Sequence, residues 1–366
     1  MINKRAGSVA AIFAASALLL GGCAANETGA TDGGTTDDSS SLTGTLVGAG
    51  ASSQQSAQEA WVAAFQGTNP EVTVEYDPSG SGAGRDTFIA GGAAFAGSDR
   101  AFNDEEVAAG EFGACVPEAG IVEIPAYVSP IAVIFNLEGV DSLNLDAATI
   151  AGIFAGTITN WNDEAIASQN EDAELPDLAI TPVHRADDSG TTENFTGYLF
   201  EAAGEVWTEE PDGVWPFESG EAAQGTSGVV DAVTNGTGTI GYADASRAGD
   251  LGTVAVKVGE EYVPFSPEAA AAIVDASAFV EGRGEGDLAI ELDRATDASG
   301  VYPVVLVSYL IACVEYQEAA DAELVKAYFE YIISEEGQQA AAEAAGSAPI
   351  SDQLRERATA AVELIS

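Results

Sequence analysis

Positive charge is scarce in this chain. Its 366 residues carry 12 Lys and Arg against 59 Asp and Glu, a formal net charge of −47. That balance excludes nucleic acid as a partner and excludes docking on anionic lipid through a basic face. It also implies a salty or wall-associated environment in which charge is screened. Histidine is scarcer still: His184 is the only one, so a Ser/His catalytic pair would have to use it. His184 ends a β-like run directly before Arg185. No serine has glycine at both −2 and +2, so there is no nucleophile elbow. There is no G-x-x-x-x-G-K-[ST] and hence no P-loop. The three cysteines form no CxxC and no Cys/His cluster, which removes a structural zinc. No metal or cofactor is expected. No internal repeat is visible.

What the chain does have is three stretches that read strand, small-residue turn, helix. The clearest is Arg185-Ala186-Asp187-Asp188-Ser189-Gly190-Thr191-Thr192, after the β-like run Leu178–His184 and before a helical pattern through Phe195, Tyr198, Leu199 and Ala202. The second is Gly48-Ala49-Gly50-Ala51-Ser52-Ser53, leading into a helix that carries Trp61. The third is Ser79-Gly80-Ser81-Gly82-Ala83-Gly84, leading into Phe88-Ile89. Helix N-termini hold unpaired N–H groups and the positive end of the dipole, so each turn is an anion seat. Arg185 adds a planar fork of donors for a tetrahedral oxyanion, and Gly190 lets backbone approach a ligand closely. One such turn is a weak signal; three together, one with Arg, point to an oxyanion site. A fourth stretch, Gly225-Thr226-Ser227-Gly228, is expected to be an ordinary helix N-terminus.

The motifs GAGAS (Gly48–Ser52), SGSGAG (Ser79–Gly84), FAGSD (Phe95–Asp99) and RADDSGTT (Arg185–Thr192), in this order and rough spacing, resemble the phosphate-binding protein of bacterial Pst-type ABC importers. RADxSGT is the most specific of them, and the resemblance covers nearly all of the chain beyond its leader. It implies a two-lobed α/β periplasmic-binding-protein fold (type II), with the ligand in the cleft at strand C-termini. It implies that Ser52, Ser53 (through its N–H), Ser81, Asp99, Arg185, Ser189, Gly190 and Thr191 bind inorganic phosphate, while Asp187 orients Arg185. It implies no catalysis, delivery to a membrane permease, and a monomer. Many family members have Thr-Phe where this chain has Ser52-Ser53, so an apolar wall is missing. Asp99 is an anion set beside an anion. The residues alone allow two readings, an exposed pair with Arg100 or an acceptor for the ligand's own proton; the resemblance favours the second. The alternative functions are a surface phosphohydrolase and a receptor for another oxyanion such as sulfate.

The N-terminus adds a location. Met1–Gly22 has Lys4 and Arg5 and then an apolar run from Ala10 to Leu20, too short to span a bilayer comfortably, which reads as a secretion signal. It ends Leu20-Gly21-Gly22-Cys23, a lipobox-like close that makes Cys23 the lipidated first residue. Residues 23–42 are polar and Gly-rich and form a disordered tether. The expected product is a lipid-anchored protein on the outer face of the cell membrane. One lobe is expected from 43–133 plus 303–366 and the other from 134–302, linked by two apolar crossings, Val122–Asn136 and Tyr302–Ile311. Cys115 and Cys313 each edge a β-like segment; outside the cytoplasm they pair, the alternative being two buried thiols. Trp161 belongs in a core, and Trp207 and Trp215 in a loop with partial cover.

Overall fold

The computed structural model describes residues 42–366; the leader, Cys23 and the tether lie outside the described residues. The first part runs β1 (Gly44–Gly50), α1 (Gln55–Thr68), β2 (Val72–Asp77), α2 (Ser81–Ile89), β3 (Phe95–Ser98) and α3 (Asp104–Ala109). The strand β4 (Ile121–Phe135) then leads to β5 (Ser142–Leu145), α4 (Ala147–Phe154), α5 (Glu164–Ala167), β6 (Thr181–Arg185) and α6 (Gly190–Ala203). Next come β7 (Glu221–Ala223), α7 (Gly225–Asn235), β8 (Thr239–Asp244), β9 (Gly252–Val258), β10 (Glu261–Val263), α8 (Pro267–Ala276) and the short pair β11 (Ala278–Phe279) and β12 (Ile290–Glu291). The chain closes with β13 (Val305–Cys313), α9 (Ala319–Ile333), α10 (Glu335–Ala345) and α11 (Asp352–Glu363).

The sheet order is β2-β1-β3-β13-β4-β8-β6-β7, so both halves of the molecule hang on one strand. All fifteen residues of β4 are buried, as its apolar run requires. From Ile121 to Pro130 it pairs antiparallel with β13; from Ile131 it pairs antiparallel with β8. The flanking strands are parallel, β2 and β3 to β1 on one side and β7 and β8 to β6 on the other. Parallel pairing thus holds in the flanks and gives way at the two crossings, which run against their neighbours. Pro125 sits at the register shift between Ser308 and Tyr309, a position where a missing N–H costs the ladder little.

Helices cover these sheets with aromatic faces. Trp61, Phe65, Phe95, Tyr328 and Phe329 form one fully buried cluster, with Phe95 edge-on to Phe329. Burying such side chains stabilises the fold by roughly 1.5–3 kcal/mol each. The second cluster is Phe154, Phe195, Tyr242, Trp215 and Trp207. Trp161 is buried as expected, and its indole N–H donates to Gly238 O at 3.0 Å. The partial cover expected for Trp207 and Trp215 is wrong: they are 1% and 8% exposed. Polar loop composition hid two anchors whose rings close the back of the second cluster.

Cys115 and Cys313 form a disulfide, with Sγ atoms 2.06 Å apart across a sequence separation of 198. It staples the loop after α3 to the end of β13. Residues 278–294 belong to neither half alone. Leu288 N–H donates to Glu123 O on β4, while Arg294 N–H donates to Glu201 of α6.

Candidate functional site

The three turns named by the sequence, and the fourth that was set aside, meet at the C-terminal ends of β1, β2 and β6. After β1, residues Ser52–Gln54 make one 3-10 turn. Ser53 Oγ donates to Asp99 Oδ1 at 2.6 Å. After β2, Gly80 holds a positive φ of 109°, and Ser81 opens α2 with its hydroxyl oxygen accepting from Asp99 N–H at 3.1 Å. After β6, Ser189 caps α6, its side chain accepting from Thr192 N–H. The N–H groups of Gly190 and Thr191 in the first turn have no intrahelical acceptor.

The two halves touch at these turns. Thr191 Oγ1 donates to Asp99 Oδ2 at 2.7 Å, and Asn194 Nδ2 donates to Asp99 O at 2.6 Å. Gly190 lies so close to Asp99 and Ser81 that a Cβ there would sit 2.7 Å from both Asp99 Cβ and Ser81 Oγ. Gly82 N–H donates to Asp188 O. The fourth stretch is also drawn in. Thr226 N–H donates to Ser52 Oγ at 3.1 Å, and the two hydroxyls are 3.0 Å apart. The expectation that Gly225–Gly228 is only a helix start thus misses a contact made across 174 residues.

Arg185, 3% exposed, ends β6 facing its own turn. Its Nε donates to Asp187 Oδ1 at 2.8 Å and its Nη2 to Asp187 Oδ2. This two-pronged grip fixes the guanidinium plane and leaves Nη1 free to donate elsewhere. Asp187 Oδ1 also accepts from Gly225 N–H at 3.0 Å. Burial pushes the Asp187 carboxyl up, but the Arg185 fork and the Gly225 N–H outweigh it and hold Asp187 below its ordinary range. Behind Arg185, Tyr242 Oη accepts from Arg185 N–H and shares a 2.7 Å hydrogen bond with Thr192 Oγ1. Burial pushes this phenol up to about 12, so it stays neutral. His184 stacks on Trp215, with ring centroids 5.0 Å apart, and takes no part in a hydroxyl pair.

Asp99 is 3% exposed and does not pair with Arg100. The Arg100 fork is taken by Glu106 at 2.7 Å and Glu193 at 2.8 Å. The exposed-pair reading fails because Arg100 turns away from the carboxylate it follows. A cavity of about 490 Å³ opens beside Asp99, lined by Arg100, Glu193, Asn194, Arg283 and Arg294 among others. It flanks the turns and does not include Arg185.

Sequence reading did not single out Arg85, Asn194 or Ser308, and it set Thr226 aside with the fourth stretch. Arg85 stands four residues after Ser81 on one face of α2, a spacing that could have flagged it. It is 3% exposed and donates to Ser98 Oγ at 2.9 Å. Ser308 lies mid-strand in an apolar run and carries no local signal. Among the described residues, no group of His, Cys, Asp and Glu is arranged to hold a metal ion, and no helix is long and apolar enough to cross a membrane.

Residues 29–336 match the family model described as PBP superfamily domain. The phosphate-binding protein PstS 3 of Mycobacterium tuberculosis is 33% identical over 99% of both chains. PstS2 of Mycobacterium bovis is 31% identical over the same share of each. In fold, the chain is similar to the phosphate-binding protein from Stenotrophomonas maltophilia, with a TM-score of 0.63 at 20% identity over 87% of this chain and 93% of that one. Matched along nearly its whole length by such relatives, the chain belongs to the PstS-type phosphate-binding proteins of the PBP superfamily.

Proposed function

We propose that this chain is an extracytoplasmic receptor that binds inorganic phosphate between its two halves and hands it to an ABC importer. The family is one of binding proteins, not enzymes, which sets aside the phosphohydrolase reading. The observation that carries the proposal is the pairing of a held cation with a buried acceptor. Arg185 presents Nη1 from a fixed plane at the end of β6, and Asp99 is a buried carboxylate that the hydroxyls of Ser53 and Thr191 reach from the two halves. Donors alone suit any tetrahedral oxyanion. A carboxylate in their midst suits one that still carries a proton, as phosphate does near neutral pH and sulfate does not. In this reading Ser52, Ser53, Ser81, Ser189, Gly190 and Thr191 donate to phosphate oxygens and Asp187 only orients Arg185. Calorimetric titration of the purified protein with phosphate, sulfate and arsenate tests it. Phosphate should bind one to one, and sulfate should show no comparable heat at the same pH and salt. No binding of phosphate would overturn the proposal.

Anchoring is a separate part of it. The Leu20–Cys23 sequence supports lipidation of Cys23. Cys23→Ser should release the protein into the medium or leave the precursor uncleaved. Detergent-phase partitioning unchanged from the natural protein would remove the anchor from the account.

A further inference from the structure

Arg294 is a buried cation that the proposed phosphate contacts leave unused. It and Asn194 are each 8% exposed. Its guanidinium donates to Asn194 Oδ1, to Val305 O at 2.9 Å and to Pro303 O at 3.4 Å. None of these acceptors is a carboxylate. Burial pushes Arg294 down to about 10 against the pull of Glu201, so the charge persists near neutral pH. Burying a charge on neutral carbonyls and an amide is costly, and an apolar side chain would fill the same space with less penalty.

What this cation holds is Asn194. Gly190, Asn194, Gly197 and Glu201 share one face of α6 by their spacing. A Cβ at Gly197 would lie 3.5 Å from Arg294 Nε, so the guanidinium rests against the helix one turn beyond Asn194. With Oδ1 taken by the guanidinium, the Asn194 amide has only its N–H₂ to present on the other side. That group donates to Gly190 O of its own helix at 2.8 Å and to Asp99 O at 2.6 Å. Turning the amide over would set N–H₂ against a cation and its oxygen against two carbonyls. Asp99 O belongs to the first half of the molecule and Asn194 to the second. Arg294 itself ends a segment anchored on the first half, where Arg283 Nη2 donates to Phe102 O at 2.7 Å and Ile290 N–H to Tyr309 Oη at 2.9 Å.

We infer that Arg294 and Asn194 are positioning residues that clasp the two halves together: Arg294 holds the Asn194 amide, and that amide ties the first turn of α6 to the main chain at Asp99. The clasp works through a backbone carbonyl and not through the Asp99 carboxylate. It slows the parting of the halves, and with it the release of a bound anion. For the identity of that anion it rests on the phosphate reading given above.

Asn194→Asp and Asn194→Leu break the clasp by different routes. In Asn194→Asp one carboxylate oxygen keeps Arg294, now as an ion pair, while the other faces two carbonyls with no proton between them. In Asn194→Leu the amide is gone and Arg294 loses an acceptor. Thermal stability should therefore hold in the first and fall in the second. Release of radiolabelled inorganic phosphate should quicken in both by roughly tenfold, the scale of one hydrogen bond lost across the halves, with most of the change in release and little in association. Arg294→Met should move the same way, because Asn194 Oδ1 is left without its donor. Release as slow as in the natural protein would overturn the clasp. So would a rise confined to one Asn194 variant, which would follow lost stability in Leu or added charge in Asp. A ligand-free measurement separates the clasp from the phosphate reading and needs only Asn194→Asp. Spin labels at two exposed positions, Asp86→Cys on α2 and Asp231→Cys on α7, report the spacing of the halves. Asn194→Asp should shift that spacing to longer distances. Coincident distance distributions would sink the clasp even if phosphate binds, and a shift would uphold it where phosphate fails to bind.

Discussion

Arg185→Ala should weaken phosphate binding by roughly 30-fold or more. Arg185 is buried and grips Asp187 through two donors, so its loss removes the cation and strands a carboxylate at the edge of the site. Truncating one partner of a buried hydrogen-bonded charge pair costs about 2–5 kcal/mol, at about 1.4 kcal/mol per tenfold. The stranded Asp187 keeps one donor, Gly225 N–H, which tempers the loss without removing the charge. Part of the effect is therefore repulsion. Adding Asp187→Ala to Arg185→Ala should recover some affinity, while Arg185→Lys should fall between, keeping charge but not the planar fork. Calorimetry on folded variants reads all three. A change under threefold in Arg185→Ala would put this residue outside the site.

Asp99→Asn should keep phosphate binding, weakened by about tenfold at most, and make sulfate binding measurable. The change is nearly isosteric, and the amide oxygen can still take the Ser53 and Ser308 hydroxyls that Oδ1 takes now. The amide N–H₂ then faces Thr191, whose hydroxyl must turn from donor to acceptor. Toward the ligand, an amide can donate to a bare oxygen where a carboxylate only repels it. Selectivity is a difference of two affinities, and this substitution acts mainly on the unfavourable one. If the Asn variant rejects sulfate as fully as the natural protein does, the discrimination lies elsewhere.

The turns were legible in the sequence because each is local. Ser81, Ser189 and Gly190 begin helices by their own chemistry, and the apolar runs of β4 and β13 can only be buried strands. Asp187 was named as the partner of Arg185 by the family resemblance, and with only Ala186 between them the two pair locally. What stayed hidden is what the fold brings from afar. Ser308 reaches Asp99 across 209 residues, and a serine inside an apolar strand looks like any other. Gln54 and Gln58 carry no local signal either, yet both are buried, Gln54 against Ser308 of β13 and Gln58 against Tyr328 of α9. The motif that named Asp99 left open whether Arg100 would pair with it, because that depends on Glu106 and Glu193 arriving from α3 and α6.

The placement of β13 has a consequence for the order in which the molecule can be assembled. As the chain emerges from its N-terminus, β1, β2 and β3 are available early, yet the neighbour of β3 is β13, more than two hundred residues later. Until then one edge of that sheet is open, and the first stretch of β4 lacks its partner. Contacts so distant in sequence form slowly, and unpaired strand edges invite association between half-made chains. The disulfide closes the same long interval, so it can form only when the return has been made. A net charge of −47 opposes such association where salt is low, because like-charged polypeptides repel, and loses that effect as salt screens it. The open edge beside β3 is then guarded only by how soon the distant return strand arrives.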